Sequence, residues 1–221
     1  SCFVLLCVCA CFRTCAHALM RAHAGGVCGS QYTDSNTRER TPYEADSYIT
    51  AISRLALQAE FAWPRHSWRY NILNPTWPTE WRQTTPLMAL ADFMATGEIE
   101  LFATFRDALA AQTQRRCMNA TTHLIDFRQC QRQTAGLGGN IRDLLDWPTD
   151  SRDNYVMTDA ANTVVNAYAV GGLRALALLS NASGDGEAAA AFATSAQSIE
   201  RAVNTLLWDP ASGLYRDGLD D

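Results

Sequence analysis

Apolar and polar positions along this chain alternate between amphipathic runs and irregular stretches rich in proline and tryptophan. From Asp46 onward, Ile49, Ile52 and Leu55, with Ala56, Ala59 and Ala62, recur at intervals of three and four. That spacing predicts a helix with one apolar stripe, ended at Pro64 by the missing amide and the ring clash. Residues 64–83 hold Trp68, Tyr70, Pro75, Trp77, Pro78 and Trp81 and read as irregular. A second helix is predicted from about Thr84 to Ala95 (Leu87, Met88, Leu90, Ala91, Met94), stopped by Gly97. A third follows from Glu98 to about Arg116, with Leu101, Phe102, Phe105, Leu109 and Gln112 on one side. Two amphipathic helices joined by a short glycine turn form an αα-hairpin.

Residues 117–142 are polar and interrupted by Gly136, Gly138 and Gly139, which predicts loop with at most one short helical piece. Asp146-Trp147-Pro148 to Tyr155-Val156 is a second irregular, aromatic stretch. A long helix is then expected from about Asp159 to Leu179, burying Val164, Val165, Tyr168, Leu176 and Leu179. Gly184 and Asp185 make the turn and the N-cap. The partner helix spans about Gly186 to Leu207, buried through Phe192, Ile199, Val203 and Leu206. Strand-type alternation is absent except for possible short pairings in loops, so the expected class is all-α.

Composition narrows the picture little. The 221 residues are 48% hydrophobic and 19% charged, with a net charge of −5 and no lysine, so all 18 basic residues are arginine. A mildly acidic chain with scattered arginines argues against a nucleic-acid partner. Residues 1–12 form an apolar run too short to span a bilayer, and no membrane partner is expected. Six of the eight cysteines fall within the first 28 residues; Cys117 and Cys130 stand alone in a polar region. That distribution does not read as a disulfide framework. The Cys7, Cys9 and Cys11 cluster lacks the spacing of a zinc finger, so neither metal nor organic cofactor is expected. The triplets Asn119-Ala120-Thr121 and Asn181-Ala182-Ser183 are glycosylation sequons of a kind that arises often by chance. Nothing here chooses between secretion and the cytoplasm.

Charge chemistry concentrates in one place. Between Asp34 and Asp46 the chain carries four acids (Asp34, Glu39, Glu44, Asp46) and two arginines (Arg38, Arg40) in thirteen residues. Opposed charge at that density is costly to bury unless paired, and it suits a site that tunes carboxylate pKa values. On spacing alone the favoured reading is a solvated turn whose acids favour a helix N-terminus. Loop tryptophans are the second signal, because sugar C–H faces stack on the negative face of an indole. Trp77, Trp81 and Trp147 lie in Pro-bounded stretches, whereas Trp63 and Trp208 are assigned to packing. Glu80 either binds sugar or fixes its own loop through backbone amides, and Glu44 is assigned to solvent.

The stretch Asp34, Arg38-Glu39-Arg40 and Asp46 resembles the catalytic loop of the α-L-rhamnosidases, glycoside hydrolase family 78. The resemblance continues through Pro75-Thr76-Trp77-Pro78-Thr79-Glu80-Trp81, Asp146-Trp147-Pro148 and Asn162-Thr163-Val164-Val165-Asn166-Ala167. It ends at Leu207-Trp208-Asp209 and Gly213-Leu214-Tyr215, and covers roughly residues 31–221. It implies the six-hairpin (α/α)6 toroid, here incomplete because five clear helices fall short of twelve, and a rhamnose-containing glycoside or polysaccharide as substrate. Inverting hydrolysis needs a general acid and a carboxylate that activates water. The resemblance assigns the acid to Glu39, sugar-holding roles to Asp34 and Asp46, an orienting role to Arg38, and the toroid mouth to Trp77, Trp81, Trp147 and Glu80. The family's base comes from a later hairpin, and no acid within residues 47–221 matches it. Residues 1–30 stay unassigned, as a signal-like segment or, the favoured reading, non-native coding sequence; residues 31–221 read as a partial catalytic domain. Other readings are a six-hairpin glycosidase of different sugar specificity, or a non-catalytic helical-hairpin binding or scaffold piece.

Overall fold

The computed structural model describes residues 31–33, 41–134, 141–145, 155–157 and 160–219. Among them the helices are α1 (Glu44–Leu55), α2 (Ala62–Leu73), α3 (Thr79–Arg82), α4 (Thr85–Thr96), α5 (Glu100–Gln112), α6 (Phe127–Thr134), α7 (Thr163–Ala182) and α8 (Gly186–Ala202). Four two-residue strands, β1 (Ala161–Asn162), β2 (Trp208–Asp209), β3 (Leu214–Tyr215) and β4 (Gly218–Leu219), form two antiparallel pairs. β2 pairs with β3, Trp208 opposite Tyr215, and β1 pairs with β4, Ala161 opposite Leu219. The all-α class holds, and these pairings are the short loop strands that the sequence left open.

The α4–α5 and α7–α8 hairpins form as the pattern predicts. Gly97 ends α4 in the left-handed conformation (φ 74°), where a Cβ would be strained. Asp185 caps α8, its Oδ1 accepting from the Ala188 amide at 2.9 Å. α7 is the central element. It packs on α4 and α8 and buries Val165, Ala169, Leu173, Leu176 and Leu179, with Phe192 and Ile199 facing it from α8. Its approach to the α3–α4 junction depends on Gly172, where a Cβ would lie 3.1 Å from the Gln83 carbonyl oxygen. By length and composition α7 is apolar enough to cross a membrane (hydropathy 1.3), but half of that window is buried inside the fold.

Several expectations need correction. Pro64 does not end a helix; it sits in the first turn of α2, where its missing N–H breaks no intrahelical bond. The real stop lies at residues 56–61, and Glu60 caps α2 by accepting from the amides of Ala62 (2.7 Å) and Trp63 (3.4 Å). Much of the supposedly irregular 64–83 is therefore helical. In α1 the buried face is Glu44, Ser47 and Ala51, while Ile49 is 61% exposed. Tyr168, placed on the buried face of α7, and Trp63, assigned to packing, are also exposed. Trp208 is exposed too, though its ring meets that of Tyr215 edge-on at 4.9 Å.

Cys117 and Cys130 are disulfide-bonded, with Cα atoms 4.8 Å apart, contrary to the expectation of no bridge. A short 3₁₀ turn, Arg115–Cys117, and the first turn of α6 bring them together. Pairing of two isolated cysteines depends on that loop geometry, which spacing does not reveal. Across the fold, Arg65 on α2 grips α4: its guanidinium donates to both oxygens of buried Asp92 (2.6 and 3.0 Å) and to Glu98 (2.5 Å). These bonds hold the Arg65 pKa well above its ordinary value.

Candidate active site

Three segments distant in sequence are tied together beside the N-terminal end of α1. The first is Tyr43–Asp46, the second the turn 75–82 that carries α3, the third residues 141–145. Glu44 is fully buried and accepts from the Thr76 amide (2.7 Å) and from the Thr76 hydroxyl. Its assignment to solvent is therefore wrong. Burial raises the Glu44 pKa against the opposing effect of the Thr76 bonds, and Arg82, which donates to the Thr76 carbonyl, supplies the nearby positive charge. Next to it the Tyr43 ring meets Trp81 edge-on, centroids 5.2 Å apart.

The turn is tied in the same way to residues 141–145. The Arg142 amide donates to the Trp77 carbonyl (3.2 Å) and the Thr79 amide to the Arg142 carbonyl (3.0 Å). Above this pairing the Arg142 guanidinium stacks over the Trp77 ring at 4.4 Å. Glu80 is 1% exposed, and its Oε1 accepts from the amides of Leu145 (2.8 Å) and Leu144 (3.3 Å). It thus fixes a neighbouring segment, which contains Leu145 in a left-handed conformation (φ 66°). Burial pushes the Glu80 pKa up to about 7, with the Asp143 carboxylate adding to the rise. Asp143 accepts from Asn162 Nδ2 at 2.6 Å, its pKa raised by burial, and its Oδ1 has no hydrogen-bond partner among the described residues. Asn162 leads into α7, where Asn166 accepts from the Ile125 amide (2.7 Å) and donates to the Asn162 carbonyl (2.9 Å).

Of the expected site residues, Asp34, Arg38 and Glu39 fall outside the described residues, as does Trp147. Asp46 stands in the first turn of α1. Trp77 and Trp81 are half-buried rather than projecting freely, each with one ring contact already made. Sequence reading gave no site role to Tyr43, Arg82, Arg142, Asp143 or Asn162. Asn162 and Asn166 offered the best signal: polar groups four apart at the apolar start of a helix must find buried partners.

Chemically, the arrangement gathers carboxyls of raised pKa (Glu44, Glu80, Asp143) and two indoles beside the N-terminal end of α1. No group of His, Cys, Asp and Glu among the described residues is arranged to hold a metal ion.

No curated protein sequence matches this chain. A solved structure described as that of a family GH78 rhamnosidase of Bacillus sp. GL1 is similar in fold, with a TM-score of 0.66 at 19% identity. The match covers 85% of this chain and 20% of that one, so this chain spans about a fifth of that enzyme's length. Residues 16–220 match the family model described as the bacterial alpha-L-rhamnosidase 6 hairpin glycosidase domain. The helical hairpins, the acid-rich approach to α1 and this match together make the chain a member of the α-L-rhamnosidase six-hairpin glycosidase domain family.

Proposed function

We propose that this domain serves the hydrolysis of terminal α-L-rhamnose from glycosides or polysaccharides, with inversion at the anomeric carbon. Glu39 is the general acid that protonates the departing oxygen. Asp34 and Asp46 hold sugar hydroxyls and keep a negative field about Glu39, which favours its protonated form. Arg38 orients Asp34 or the sugar by its planar fork. Trp77, Trp81 and Trp147 offer ring faces, and Glu80 acts through the 144–145 segment instead of touching sugar. The carboxylate that activates water is supplied from outside residues 47–221.

The observation that supports this most is the clamp between Glu44 and Thr76, with Tyr43 against Trp81. It joins the end of the acid-rich stretch to the aromatic turn, as a sugar site built from both requires. The test is hydrolysis of an aryl α-L-rhamnoside by the protein encoded by the whole gene, beside its Glu39→Gln variant. The expected loss is about 10²–10⁴-fold in turnover, the usual weight of one general acid. Unaltered turnover in the variant discards the assignment.

A further inference from the structure

A cavity of about 330 Å³ lies between α8 and the loop closed by the disulfide, lined by Thr122, His123, Ser198, Arg201, Thr205 and Leu206, with Ala202. Both walls depart from regular structure. His123 takes a left-handed conformation (φ 60°), uncommon for a residue with a Cβ. There its amide donates a hydrogen bond to the Asn119 carbonyl, and the Asn119 amide donates one to the Leu124 carbonyl, both 2.9 Å. The Asn119 side chain accepts from the Thr121 and Thr122 amides, and the Cys117–Cys130 bridge closes the loop from behind. Opposite, α8 gives way to a single π-type turn, Val203–Leu207, which places Thr205 and Leu206 on the cavity wall. Such turns and such backbone outliers concentrate at binding sites.

The side chains supply matching chemistry. Among the described residues the Arg201 guanidinium has no ion pair or hydrogen bond, and the His123 ring and Thr205 hydroxyl have none either. Arg174 and Arg128, by contrast, are in ion pairs, with Glu200 (2.7 Å) and Asp126 (3.5 Å). Ala202 and Leu206 contribute apolar surface, while the Thr122 hydroxyl accepts from the Leu124 amide and the Ser198 hydroxyl donates to the Thr194 carbonyl, leaving Thr205, His123 and the positive charge of Arg201 to meet a ligand. An apolar floor with a few convergent polar groups suits a small ring-shaped ligand, and the volume lies at the lower end for ligand sites.

We infer that this cavity is a separate saccharide site for a sugar unit bearing a carboxylate, with Arg201 binding the carboxylate and Leu206 and Ala202 meeting the ring. It does not depend on the hydrolytic reading, since none of its residues belongs to the candidate active site.

The test is a ¹H–¹⁵N NMR titration of the 221-residue chain with methyl β-D-glucuronoside, methyl β-D-glucoside and sodium acetate at equal ionic strength. The acidic glycoside should give saturable shifts at residues 122–123 and 198–206 with a Kd in the millimolar range, roughly −4 kcal/mol. The neutral glycoside and acetate should bind about tenfold more weakly or worse, as loss of a charge-assisted contact dictates. Arg201→Gln, an exposed change, should weaken the glucuronoside by about tenfold with the rest of the spectrum unmoved. Thr205→Val should weaken both sugars and leave acetate unchanged. Equal affinity for the two glycosides, acetate binding as tight as the glucuronoside, or no saturable shift at these residues would each overturn the inference.

Discussion

Glu44 and Glu80 lie inside the fold because donors from other segments meet them there, Thr76 for Glu44 and the amides of residues 144 and 145 for Glu80. Glu80 is buried on the amides of residues 144 and 145, with its pKa raised from 4.5 to about 7 by burial. Between those pH values the folded chain keeps a proton that the unfolded chain has lost, so this group's contribution is fully present below about pH 4.5 and falls as pH rises to about 7. The whole window is worth about 3 kcal/mol, and Glu44 and Asp143, also raised, act in the same direction. Urea unfolding of the parent and Glu80→Gln across that range should show the variant gaining about 3 kcal/mol relative to the parent as pH rises; a constant difference contradicts the assignment. Asp92 makes a second case. It is buried against Arg65, so Asp92→Ala removes two charge-assisted bonds, leaves Arg65 to Glu98 and Thr96, and should cost about 1.5–3 kcal/mol in the same assay. For Glu80 the sequence offered backbone amides as one of two roles, though of its own loop and not of residues 144–145, whereas the burial of Glu44 and Asp92 was not legible. Hydropathy scores a glutamate as exposed wherever it stands, and the partner that reverses this for Glu44, Thr76, is 32 residues away.

At the scale of the element, punctuation was more readable than interiors. Gly97 and the Gly184-Asp185 pair marked real helix ends, because a left-handed turn and a side-chain cap are local requirements that a residue type announces. Pro64 misled because the ring that breaks a helix interior is accepted in a first turn, and only the Glu60 cap two residues before α2 distinguishes the two cases. The α1 stripe misled for a different reason. Its buried face begins with Glu44, which accepts from Thr76 in the turn 75–82, and continues through Ser47 and Ala51, while Ile49 is left outside. The disulfide also belongs at this scale, since it ties the 3₁₀ turn to α6 across a separation of 13 residues. Closing a loop of that size stabilises a fold by about 3 kcal/mol. Replacing Cys117 and Cys130 by serine should lower the unfolding free energy by about that amount, measured by denaturant titration under oxidising conditions; an unchanged midpoint would show that the bridge contributes nothing.

Across the whole molecule, hydrogen bonds link the start of α1, the turn 75–82, residues 141–145 and the start of α7 into one connected frame. The family's sequence pieces at 75–81 and 162–167 lie on that frame, which is why the resemblance was legible before the contacts were. What the pieces do not disclose is division of labour: Glu80 and Asn162 bind protein, not solvent. The frame's proposed purpose is to hold an acid, Glu39, and sugar-facing indoles in register for hydrolysis with inversion, a mechanism in which water attacks from the face opposite the leaving group. The most direct measurement is the ¹H NMR spectrum of the first rhamnose released from an aryl α-L-rhamnoside by the protein encoded by the whole gene. With inversion the β anomer appears first and the α anomer only later, by mutarotation; initial release of the α anomer, or no hydrolysis at all, would contradict the proposed mechanism.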